Sequence, residues 1–168
     1  HGRAGGMVEF VIYVNGQQMS SQSADGIICS TSTGSTAYSL AAGGPILHPS
    51  LQGLCLVPVA PHTLSNRPIV LPANVAIDIE LTNARDAVAY CDMQEFFDVQ
   101  PGDVLKIRPT EMTMTMLHPA GYDYFDLLRR KVNDASAKLP QGCYDPIVID
   151  DMMDVYGIFY ALTADGYD

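Results

Sequence analysis

The sequence predicts a mainly β protein, a two-layer antiparallel sandwich with one short internal helix and a second helix near residue 130. Three observations carry that expectation. Short apolar runs recur at roughly even spacing with turn residues between them. Val75 to Leu81 alternates, with Val75, Ile77, Ile79 and Leu81 on one face and Asp78 and Glu80 on the other. Within residues 1–132, Thr36–Ala42 and Tyr122–Val132 alone read as helices.

Val8 to Val14 is rich in β-branched and aromatic residues and runs directly into Asn15-Gly16. An Asn-Gly pair between strand-like runs is a hairpin signal, because both central positions of that turn need positive φ. Gln17 to Gln22 is the expected returning strand. Gly26 to Cys29 is a short buried strand, and Ser30 to Ser35 is a hydroxyl-rich turn that cannot continue it. Thr36 to Ala42 then suits a helix, ended by Gly43-Gly44-Pro45. Leu54–Val59, Pro68–Leu71, Ala87–Cys91 and Val104–Ile107 are further expected strands, with Pro101-Gly102-Asp103 as a turn. Met112, Met114 and Met116 alternate with threonines, which predicts one more half-buried strand packed into the core. Arg129, Arg130 and Lys131 suit the C-terminal end of the helix over 122–132. Beyond it, Ile147–Ile149 reads as a strand, while Met152–Leu162 fits a helix or a strand pair equally.

With 48% hydrophobic and 17% charged residues in 168, the chain is expected to fold around a real core. No apolar run approaches the ~20 residues of a membrane span, and no signal-like segment opens it. The net charge is −10, of which residues 133–168 hold −6 and residues 1–132 hold −4. An acidic chain without a basic stripe is a poor nucleic-acid binder. Cys29, Cys55, Cys91 and Cys143 form no CxxC pair and sit in apolar segments. They read as reduced core thiols of a cytoplasmic protein.

The run DGIICSTSTGSTAYSLAAGGP, Asp25 to Pro45, is the candidate site. Strand, polar turn and helix start together would place unpaired N–H groups and a positive dipole end beside several hydroxyls, which suits a nucleotide or other phosphate ligand. A phosphate loop of the GxxxxGK[ST] type fails, since no lysine precedes Lys106. A GxSxG hydrolase elbow fails too, because Ser35 sits in TGSTA. His48, His62 and His118 lack ligand spacing to one another, and Asp145, Asp150, Asp151 and Asp154 lack the glycine and terminal glutamate of a calcium loop. No metal ligands are therefore assigned.

DGIICSTSTGSTAYSLAAGGPILHPS, then LVPVAPHTLSNRPIVLP, then Cys91-Asp92-Met93-Gln94, then LHPAGYDYFDLLRRKV closely resemble, in order, four motifs of the C-terminal half of bacterial NAD kinases. The resemblance covers residues 1 to about 132, which it makes an NAD-binding β domain, and leaves 133–168 as an atypical acidic tail. It implies transfer of the γ-phosphoryl group of ATP, or in some members of polyphosphate, to the 2′-hydroxyl of the NAD adenosine ribose. It further implies Mg²⁺ or another divalent cation in the intact enzyme and assembly as a homo-oligomer, a dimer or tetramer. By the same resemblance Asp25 meets the ligand near the nicotinamide, and Thr33 and Thr36 line the adenine and ribose. Ala37, Tyr38, Ser39, Leu40 and Ala41 complete the wall, Ala60 and Gln94 match further nucleotide-contacting positions, and Asp92 lies beside the ribose region.

There are departures. Ser32 replaces the usual proline of STPTG, Met93 replaces a small or polar residue, and Gly6 and Ser23 stand at positions that are usually basic or His. The family's Gly-Gly-Asp-Gly motif, which carries the general base, belongs to an N-terminal α/β domain absent from this sequence. No catalytic residue is therefore assigned in this chain, and the chain alone is expected to be inactive. The alternatives are a non-catalytic nucleotide-binding or oligomerisation module and, further off, the C-terminal domain of a related lipid kinase.

Overall fold

The computed structural model describes residues 7–63, 66–92, 94–112, 115–138 and 159–164. The chain divides into two units, one formed by residues up to Pro109 together with Val155–Asp168, the other by Thr110–Asp154.

The first unit is the expected sandwich. Strands β1 (Val8–Val14), β2 (Gln17–Ala24), β6 (Ile77–Asn83) and β9 (Val104–Ile107) form a four-stranded antiparallel sheet in the order β2-β1-β6-β9. Strands β3 (Gly26–Thr31), β4 (Gly53–Val59), β5 (Ile69–Pro72), β7 (Ala87–Cys91), β8 (Glu95–Val99) and β10 (Phe159–Ala164) form the second, in the order β5-β4-β3-β10-β7-β8. The two sheets share one core. Val8, Phe10 and Ile12 of β1 and Ile77, Ile79 and Leu81 of β6 pack with Ile27, Cys29, Leu56 and Ala89 of the other sheet. At roughly 25 cal/mol per Å² of apolar area removed from water, this layer is the main source of stability.

The Asn15-Gly16 turn has the predicted positive φ at both residues, +50° and +77°. Asn15 is also tied to the next hairpin, its Oδ1 accepting from Ala76 N at 2.9 Å. Sequence reading missed β8, and it left the segment containing β10 undecided between helix and strand. The proposed strand through Met112, Met114 and Met116 is corrected. Residues 112 and 115–117 belong to no strand, and Met112 is 86% exposed and Leu117 91%. Alternation marks two faces, but a strand also needs an edge to pair with, and Pro109 stands two residues past the end of β9. Met114 and the expected strand Ile147–Ile149 lie outside the described residues.

The second unit carries α2 (Tyr124–Lys138), which begins close to the predicted start and runs past Val132. Asp123 caps it, its Oδ1 accepting from Phe125 N at 2.8 Å and Asp126 N at 3.1 Å. Asp126 then pairs with Arg129 and Arg130 one turn on, and His118 stacks on Tyr122 with ring centroids 3.9 Å apart.

Candidate functional site

The predicted site residues lie along β3 and its neighbours. Asp25 is exposed at the start of β3, and its N–H donates to Val59 O at 3.0 Å. Gly26 pairs with Val59, so the next residue of β4's exit, Ala60, stands beside Asp25. Ala60 is exposed and holds φ +43°, a left-handed conformation that turns the chain away from the sheet. His62 N then donates to Ser23 O at 3.0 Å, fixing this exit against β2.

At the other end of β3 the Ser/Thr turn leaves as a single 3₁₀ turn, Thr33–Thr36, followed by α1, Tyr38–Ala41. Ala37 breaks the helix between them with φ −103° and ψ −130°. The expected helix over 36–42 is thus shorter, and part of the turn before it is closed by its own hydrogen bonds. Gly34 N is taken by Thr31 Oγ1 at 3.2 Å, Ser35 N by Ser32 O at 3.3 Å and Ala37 N by Gly34 O at 3.1 Å. Ser and Thr side chains and tight turns compete with helix for these donors, and four helical residues supply little dipole.

Ser35 and Ser32, read as turn hydroxyls, are structural anchors. Ser35 Oγ, fully buried, donates to Ser32 O at 2.7 Å and accepts from Leu47 N at 2.9 Å. Ser32 Oγ donates to Leu51 O at 2.6 Å, a bond that proline could not make. Gly44 closes the unit. A Cβ there would lie 2.5 Å from Ser39 Oγ, 2.7 Å from Ser39 O and 2.8 Å from Val57 Cγ2. The turn is thereby clamped onto the outer face of the six-stranded sheet, where Ile28, Leu47, Cys55 and Val57 form a second apolar layer with Tyr38, Ala42, Val59 and Tyr90.

Ser39 is completely buried in this layer. Burial raises the Cys55 thiol above its ordinary value, and the nearby Ser39 hydroxyl draws it back in part. Ser39 therefore supports the wall from behind, as does buried Ala37, while Thr33, Thr36, Tyr38 and Leu40 are half-buried and Ala41 is exposed.

Asp92 and Gln94 lie on the β7–β8 hairpin, closed by Gln94 N donating to Cys91 O at 3.0 Å, with Asp92 at φ +48°. Register places this hairpin relative to β3. Tyr160 of β10 faces Cys29 on one side and Cys91 on the other, and Thr163 faces Gly26 and Val88. β3 and β7 therefore run parallel, and Asp92 stands level with Ser30, at the end where the threonine turn begins. The site thus has two ends. Asp25 and Ala60 mark one; Thr33, Thr36, Asp92 and Gln94 mark the other, roughly 17 Å away along β3 at ~3.3 Å per residue.

Sequence reading overlooked Tyr90, which joins Tyr38 on the outer face and meets Phe96 edge-on at 5.1 Å and 86°. The alternation of Ala87 and Ala89 against Val88 and Tyr90 was the available signal. A hollow of ≈ 770 Å³ lined by Arg85, Asp86, Asp98 and Gln100 lies at the opposite end of this hairpin from Asp92 and contains none of the predicted residues. Among the described residues no three His, Cys, Asp or Glu side chains gather to hold a metal ion. A divalent cation does not fit these residues alone, and no step is assigned to one.

The family model described as the ATP-NAD kinase C-terminal domain matches residues 1–118. The chain belongs to that family. Similar relatives are the NAD kinase of Cupriavidus pinatubonensis, 54% identical over 128 residues, covering 76% of this chain and 42% of the relative. The NAD kinase of a Polaromonas species is 51% identical over 132 residues, covering 79% and 45%. Among solved structures, an NAD kinase from Archaeoglobus fulgidus in complex with ATP is similar at a TM-score of 0.58 and 28% identity, over 65% of this chain and 42% of that one. The chain thus spans under half the length of these relatives. The match to the family agrees with the two-sheet architecture and with the motif series from Asp25 to Gln94.

Proposed function

We propose that this chain forms the NAD-binding wall of an NAD kinase, an enzyme that moves the γ-phosphoryl group of ATP onto the adenosine ribose 2′-hydroxyl of NAD. The observation that carries the reading is the two-ended site. One carboxylate, Asp25, stands at one end of β3; the threonines at its other end, with Asp92 and Gln94 two strands across, lie roughly 17 Å away along the strand direction. A ligand with two polar heads, such as a dinucleotide, has the length to engage both; a mononucleotide does not. Asp25 accepts from the carboxamide N–H of the nicotinamide, since an ionised carboxylate is an acceptor only. Asp92 accepts from ribose hydroxyls, Gln94 both donates and accepts, and Thr33 and Thr36 present hydroxyls to the adenosine side.

In the reaction the 2′-hydroxyl loses its proton, its oxygen bonds the γ-phosphorus, the bond to the bridging oxygen breaks, and ADP leaves. Phosphoryl transfer depends on positioning and on neutralising charge, and the residues assigned here only position. The base is assigned to the Gly-Gly-Asp-Gly motif, which this sequence lacks. The chain alone therefore binds NAD and makes no NADP. The intact enzyme takes ATP and a divalent cation, and it works in the cytoplasm as a homo-oligomer. No helix among the described residues is long and apolar enough to cross a membrane.

Thermal shift against NAD, AMP and nicotinamide mononucleotide tests the reading. NAD raising the melting temperature well above either half is expected. Equal shifts from AMP and NAD would contradict a two-ended site, and NADP formation by this chain would contradict the placement of the base.

A further inference from the structure

The middle of the six-stranded sheet is filled from far along the sequence. β3 and β7 each pair with β10 and not with each other. Five consecutive pairs join β10 to β3, from Phe159–Ser30 to Thr163–Gly26, and five join it to β7, from Tyr160–Cys91 to Ala164–Ala87. β3 is buried from Gly26 to Ser30. With its β10 edge bare, it would leave a row of buried N–H and C=O groups unpaired, which folded proteins avoid. Some strand must occupy this slot.

The chemistry of Phe159–Ala164 suits it. FYALTA contains no charge and no proline, in a tail that carries Asp154 before it and Asp165 after it. A charge would be costly in the centre of a sheet, and proline could not complete the ladder. Phe, Tyr and Thr also favour strands.

We propose that Phe159–Ala164 is a positioning strand seated in a strand-accepting slot between β3 and β7. It sets the span between the Thr33–Thr36 turn and the Asp92–Gln94 hairpin, two inter-strand spacings or roughly 9.5 Å. The ligand consequence rests on the NAD reading; the pairing does not. Residues outside the motif-matched segment 1–132 thereby govern the geometry of the site inside it.

Hydrogen exchange on the full chain, with NAD titration alongside, is the test. In the wild type, amides of 159–164 should be protected together with those of β3 and β7. Ala161→Pro should speed exchange in 27–30 and 87–91 by roughly tenfold or more and weaken NAD binding in parallel. A peptide of residues 157–166 added to that variant should restore both, and a scrambled peptide should not. Exchange of 159–164 at free-peptide rates in the wild type overturns the proposal, even if Ala161→Pro does not fold. So does a folded Ala161→Pro chain with unchanged β3 and β7 protection. Coupled protection without any NAD binding supports the strand and overturns the NAD reading. Protection that appears only in a dimer, and is lost on dilution, places a second copy's strand in the slot and overturns the assignment to the chain's own.

Discussion

At the residue scale, the wall is set by small side chains whose roles are steric or hydrogen-bonding. Gly44→Ala drives a Cβ into backbone and side-chain atoms at 2.5–2.8 Å, so it should cost about 1–3 kcal/mol, read by urea unfolding. An unchanged midpoint would show that α1 is not clamped to Val57. Ser35→Ala strands Leu47 N in a buried site and should cost a similar ~1–3 kcal/mol. Ser32→Pro is a balance. Its φ of −58° already suits proline, which gains about 0.4–1 kcal/mol through the unfolded chain. The lost bond to Leu51 O removes about 1 kcal/mol, so the midpoint should hardly move. Burial, with a smaller contribution from Cys55, pushes the Cys29 thiol from 9.0 up to about 12. The folded state thus favours the protonated thiol, and its stabilising effect is complete below pH 9 and is lost as pH rises from 9 toward 12. Iodoacetamide at pH 8 should label half-buried Cys91 and leave Cys29 untouched until the protein unfolds; early labelling of Cys29 would contradict its burial.

At the scale of elements, what was legible depended on whether a segment's partner lay nearby. The Asn15-Gly16 hairpin, the alternation through β6 and the apolar run of β4 announce themselves locally, and the structure keeps all three. β8, EFFDV, shows no alternation because four of its five residues are exposed at the sheet edge. β10 is specified by β3 and β7, which are remote in sequence, so its own run carries no period that separates strand from helix. The hydroxyl-rich turn expected over Ser30–Ser35 is displaced: β3 runs on through Ser30 and Thr31, the 3₁₀ turn is Thr33–Thr36, and several of its hydrogen bonds close inward, which residue types alone do not dictate. Both left-handed residues at the site, Ala60 and Asp92, were equally invisible. Left-handed φ costs a non-glycine residue about 1–2 kcal/mol, so Ala60→Gly should raise stability by up to about 1 kcal/mol. Ala60→Val should lower it, and thermal melts of the pair would reveal a reversed order if φ +43° were wrong.

At the scale of the whole molecule, the candidate site was read from residue types and the family motifs, while its two-ended shape emerged only from register. Asp25 and Asp92 are far apart in sequence, and only the shared pairing with β10 sets β3 and β7 parallel and puts the two residues at opposite ends. That shape predicts which ligand binds: neither half of a dinucleotide should match the whole. Two-ended NAD recognition is tested by calorimetric titration of NAD into the purified chain and its Asp25→Ala and Asp92→Ala variants. Saturable NAD binding is expected, weakened by roughly tenfold in each variant as one polar end is lost. No binding to the parent chain, or binding by either variant as tight as the parent's, would contradict it.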